Sequence, residues 1–205
     1  MRPTVLLPQR ISGISGGRGG GGDGAPLGGP LMPTAQLFVW LLIGGLTMFF
    51  AALCSAAIVR IGIDGRTFLL PPIIWVNTGI LVLSSVLLGW AQWRVLKGRE
   101  VEPKGLRALG AATALGVLFM GGQAVAWYQL AQQGVFLSSS PAAGFFYVLT
   151  AAHGVHVVGG LIALAVLWSV RRRGMTFRRR LGPVATYWHF LTFVWLALVI
   201  VLQTR

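Results

Sequence analysis

Only 10% of the 205 residues are charged and 55% are hydrophobic, whereas roughly a quarter of a soluble domain carries charge. Seventeen Lys and Arg stand against four acidic residues, a formal charge of +13, and the cations fall in short clusters between long apolar runs. That distribution is how the loops of a membrane protein read, and it argues against nucleic acid as a partner.

Residues 1–36 are rich in Gly and Pro, with Arg2, Arg10 and Arg18 among them. The run Gly16–Gly24 offers too little side chain to offset the entropy of ordering it, so the segment reads as a flexible tail. It lacks the apolar core and small-residue cleavage site of a signal peptide. From Leu37 to Val59 run 23 uncharged residues, roughly 34 Å as a helix and enough to cross a bilayer core. Cys54 is the single cysteine and lies inside this run, so no internal disulfide forms. A second uncharged run, Thr67 to Trp93, carries Pro71-Pro72 near its start and predicts a span over 69–93.

Between Ala108 and Val170 no Asp, Glu, Lys or Arg occurs, and these 63 residues are too many for one span. Turn formers at Gln132-Gln133-Gly134 and Ser138-Ser139-Ser140-Pro141 divide them into helices over 108–130 and 143–170. The last run, Leu181 to Thr204, opens with Gly182-Pro183 and predicts a span over 183–204. Backbone polar groups must be satisfied within the bilayer, and the runs are apolar all round, so they are helices rather than barrel strands. The expected fold is an all-α, polytopic five-transmembrane-helix bundle comprising residues 37–205.

Orientation follows from the cations. Arg2, Arg10 and Arg18, the cluster from Arg94 to Arg107, and Arg171–Arg173 with Arg178–Arg180 place fourteen on one face. Arg60, Arg66 and Arg205 are the three on the other. The excess places the N-terminus in the cytoplasm and the C-terminus outside. The clusters also suit anionic lipid head groups.

No carboxylate or amine falls within any span, which speaks against a proton pump or ion-coupled transporter. His153 and His156 lie on the fourth helix and His189 on the fifth. From spacing alone, two readings stay open: ligation of a b-type haem, or neutral histidines bonding across helices. No further ligand type supports zinc or copper. Asn77, Thr78, Ser84, Ser85 and Gln123 fit the packing role, as do small residues at four-residue spacing (Ala108, Ala112, Gly116; Ala152, His156, Gly160). Trp75, Trp90, Trp93, Trp127 and Trp168 fall mainly near span ends, where indoles favour the interface. The residues thus predict a structural bundle with a polar seam between the fourth and fifth helices.

The segment Phe145–Ile162 has an aromatic pair, then Thr150, then His153-Gly154-Val155-His156-Val157-Val158-Gly159-Gly160. It resembles subunit III of haem–copper oxidases, the cytochrome c oxidase subunit III family. Tyr187-Trp188-His189-Phe190 with Val194-Trp195-Leu196 is similar to that family's final helix. Trp75-x-Asn77-Thr78 with Ser84-Ser85, and Gly121-Gly122-Gln123 with Trp127, continue the likeness in order from about residue 37.

The resemblance is to the short, five-helix bacterial form, with the Gly-rich tail standing where the long form has extra helices. It implies an accessory subunit of an oxidoreductase with no catalytic centre or cofactor of its own. Haems and copper are expected in partner subunits I and II, with bound phospholipid, membership of a larger respiratory supercomplex open, and residence in the bacterial cytoplasmic membrane. It also implies that Asn77, Gln123, Trp127, His153, His156, Trp188 and His189 are family-signature packing positions rather than ligands. Leu46, Ala126 and Thr192 stand where the family often has carboxylates, so a scaffold that holds lipid without gathering protons is expected. Subunit III of a quinol oxidase, the related partner of nitric oxide reductases and a b-haem membrane anchor are the alternatives.

Overall fold

A computed structural model describes residues 34–64, 71–98 and 103–203. The described part contains five α-helices: α1 (Thr34–Asp64), α2 (Ile73–Lys97), α3 (Pro103–Gln132), α4 (Pro141–Ser169) and α5 (Gly174–Gln203). The all-α bundle expected from the apolar runs is therefore the fold. The segment read as a tail lies outside the described residues up to position 33, and its last three residues open α1. Each helix has 25 to 31 residues, about 38–46 Å of rise, and all five are long and apolar enough to span a membrane. The chain is a multi-pass membrane protein.

Helix ends follow local chemistry. α2 begins directly after Pro71-Pro72, with Pro72 at the N-cap, and α3 takes Pro103 as its first residue, where a missing N–H costs nothing. Between α3 and α4 the chain makes a Schellman turn. Gly134 adopts φ +74°, its N–H bonds to Ala131 O at 3.0 Å, and the Val135 N–H bonds to Leu130 O at 3.0 Å. Ser140 then caps α4, its hydroxyl accepting from the Ala143 N–H at 3.1 Å, with Pro141 following.

α5 departs from expectation. It starts at Gly174, nine residues before Pro183, which lies inside the helix instead of opening it. Phe177 and Leu181, one turn apart, are both fully buried, and burial of two large apolar side chains outweighs the local loss of one backbone bond at the proline. Arg178–Arg180 consequently sit on helix rather than in a loop.

α2 and α3 form a close antiparallel hairpin. α5 packs against α1, α2 and α4, while α4 packs against α1, α3 and α5. Among the described residues α1 meets only α4 and α5. The core is centred on Phe119, Phe146, Trp188 and Trp195. Large apolar side chains also point outward, among them Phe38 and Met48 on α1, Val76 and Val86 on α2, and Val155 and Ile162 on α4. Such a surface suits lipid or a neighbouring membrane subunit.

Candidate functional site

Two faces of α2 organise the polar contacts. Asn77 and Ser84, seven residues apart, face α3: the Asn77 amide donates to Phe119 O at 3.2 Å and the Ser84 hydroxyl to Ala112 O at 2.8 Å. Thr78 and Ser85, again seven apart, face α5. Thr78 Oγ1 accepts from Trp195 Nε1 at 3.0 Å, and Ser85 Oγ bonds to His189 Nδ1. Ser84 also accepts from Trp188 Nε1 at 3.2 Å, so one hydroxyl joins α2, α3 and α5. The polar seam therefore lies chiefly between α2 and α5. Between α4 and α5, where it was expected, the Tyr187 hydroxyl donates to His156 O at 3.2 Å. The reason is that His189 and both indole N–H groups point from α5 toward the hydroxyls of α2, a pairing invisible to spacing within one helix.

Trp188 explains the small residues. A Cβ on Gly116 of α3 would stand 2.6 Å from its Cη2 atom, and one on Gly160 of α4 would stand 3.0 Å from its Cε3 and Cζ3 atoms. These glycines make room for an indole that spans the bundle interior. Gly122 serves a different end, since a Cβ there would overlap the Asn77 side-chain amide. Trp127, read as an interfacial indole, is partly buried and donates to Thr150 Oγ1 at 3.1 Å, joining α3 to α4.

His153 is fully buried among aromatic rings: Trp195 at 5.2 Å between centroids, Phe119 at 6.0 Å and Phe50 at 6.4 Å. His156 bonds through Nδ1 to Ala152 O of its own helix at 2.7 Å, and Phe50 lies 5.5 Å from its ring. Among the described residues no three of His, Cys, Asp and Glu are grouped to hold a metal. Leu46, Ala126 and Thr192 are all buried, and the Thr192 hydroxyl is engaged by Trp188 O of its own helix at 3.1 Å.

Cations gather at one end of the bundle. Arg94 lies 5.0 Å over Trp90 and 5.6 Å over Trp93, Lys97 lies 4.5 Å over Trp93, and Arg171 lies 5.3 Å over Trp168. Arg178 donates to Gly98 O, tying the start of α5 to the end of α2. A cavity of about 720 Å³ opens nearby between α1, α4 and α5, lined by Phe38, Gly159, Ala163, Pro183 and Tyr187 with Arg180 at its edge.

Residues 40–204 match the sequence model of the family described as cytochrome c oxidase subunit III. A probable cytochrome c oxidase subunit 3 of Nocardia farcinica is 36% identical over 126 residues, 59% of this chain and 60% of that protein. The cytochrome bo(3) ubiquinol oxidase subunit 3 of Pseudomonas aeruginosa is 31% identical over 138 residues, 66% of this chain and 65% of that protein. A probable cytochrome c oxidase subunit 3 of Mycobacterium leprae is 31% identical over 189 residues, 84% of this chain and 88% of that protein. The alignments to the first two span less than two thirds of those relatives' lengths.

Proposed function

Because the chain belongs to the cytochrome c oxidase subunit III family, we propose that it is an accessory, non-redox subunit of a respiratory haem–copper oxidase. The observation that carries this reading is the family match across all five helices, joined to a core in which four signature residues, Asn77, Trp127, Trp188 and His189, bond helix to helix. Haems and copper belong to the catalytic partners, subunits I and II, and this chain stabilises subunit I. Phospholipid occupies apolar grooves such as the one beside Arg180, a reading supported by its lining of Phe38, Ala163 and Pro183. With Leu46, Ala126 and Thr192 in place of carboxylates, the subunit holds lipid and supports its partner without gathering protons. The cationic end of the bundle faces the cytoplasm of a bacterial inner membrane. Cytochrome c is the proposed electron donor of the assembly. A quinol-oxidising assembly is the second reading, favoured by the similarity to the Pseudomonas ubiquinol oxidase subunit.

The test is to tag the chain, extract it from native membranes in mild detergent and identify what co-purifies. Recovery with a haem-bearing subunit I and a copper-bearing subunit II supports the first reading. Recovery with a subunit I and a subunit II lacking copper supports the second. Isolation of the chain alone with a b-type haem spectrum overturns both.

A further inference from the structure

Two fully enclosed polar side chains in the core have no hydrogen-bond partner among the described residues: both ring nitrogens of His153 on α4, and both amide atoms of Gln123 on α3. Burying such groups unpaired costs far more than an ordinary bond is worth, and in a membrane no bulk water competes for them. Their positions are bracketed by two contacts between the same helices. Four residues before Gln123, the Phe119 ring meets the His153 ring edge-to-face at 6.0 Å. Four residues after it, Trp127 donates to Thr150, one turn before His153. Residues four apart share a helix face, so Gln123 lies on the stripe of α3 that carries both contacts, about 6 Å along the axis from each.

We propose that Gln123 and His153 together hold a buried water molecule, an internal hydration site that ties α3 to α4. The donor and acceptor inventory is suited to it. A neutral imidazole offers one N–H and one bare nitrogen, and the amide offers two N–H groups and a carbonyl, so a water between them finds partners of both kinds. Buried waters characteristically make two to four such bonds. Ala126, three residues after Gln123, is small and fully buried. The water supplies a second polar tie across a seam in which Trp127–Thr150 is the direct side-chain bond. The site is independent of which electron donor the assembly uses.

The experiment is water-edited, proton-detected solid-state NMR on the full chain, nitrogen-15 labelled, in lipid bilayers, with a melting curve for each variant. Magnetisation is expected to pass from a long-lived water to the His153 ring nitrogen and the Gln123 amide. The signal at each disappears in H153F and Q123L, and Q123L melts below the parent chain because a bridge has been lost. Absence of water transfer in the parent chain overturns the proposal. So does direct coupling of amide to imidazole without water, or a Q123L chain that melts higher, since removing a dry orphan amide relieves its penalty.

Discussion

The indole N–H of Trp188 meets the hydroxyl of Ser84 at 3.2 Å, although 104 positions separate the two residues. Ser84 in turn donates to Ala112 O, so the last helix is coupled through one oxygen to the α2–α3 hairpin. The same indole lies against Gly116 and Gly160, so a single side chain of α5 touches three other helices.

Trp188 and Gly116 are therefore expected to be mutually sensitive. Trp188→Ala removes a large buried ring and costs about 3–5 kcal/mol. Gly116→Leu leaves the indole no place to lie and is expected to disrupt the bundle comparably. Trp188→Phe keeps much of the bulk and loses the bond to Ser84, a milder change of about 1 kcal/mol beyond its volume loss. Thermal unfolding in detergent, followed by the monodisperse peak on size exclusion, ranks the three. A Gly116→Leu chain that melts with the parent contradicts the packing described.

The α3–α4 turn gives a second expectation. Gly134 holds φ +74°, so Gly134→Ala costs about 1 kcal/mol through backbone strain alone. Ser140→Ala removes the α4 cap and costs about the same. The two sites lie at opposite ends of one short connection, and their effects are expected to combine without touching the seam around Trp188. Limited proteolysis of the connection, compared with global melting, distinguishes local loosening from a change in the bundle. Equal protection of parent and variants sinks this account.

Orientation is open to thiol chemistry because Cys54 is the sole native cysteine. After Cys54→Ala, a cysteine at Arg172 is expected to react with a membrane-impermeant maleimide only when the cytoplasmic face is exposed. A cysteine at Gln133 is expected to react only from the opposite face. Reversal of the two patterns inverts the proposed topology.

Much of the architecture was legible because a bilayer imposes a coarse rule: uncharged runs of sufficient length become helices. The turn after α3 was legible too, since Gly134, Ser140 and Pro141 are each specific to one position of a helix end. The start of α5 was not. Gly182-Pro183 reads as a boundary, yet Phe177 and Leu181 bury against the bundle and carry the helix through the proline. The seam was misplaced for a related reason. His153 and His156 mark α4 in the sequence, while the bonds form where the hydroxyls of α2 face Trp188, His189 and Trp195. Which helix a polar side chain reaches depends on tertiary rotation, and one helix's periodicity carries no record of its neighbour's.

The packing of α1 bears on biogenesis. Of the five helices it leaves the ribosome first, yet among the described residues its only helical neighbours are α4 and α5. α2 and α3, by contrast, can dock on one another as soon as both have been inserted. Insertion order and packing order thus differ: α1 meets no described helical neighbour until α4 has been made, more than a hundred residues after α1 ends.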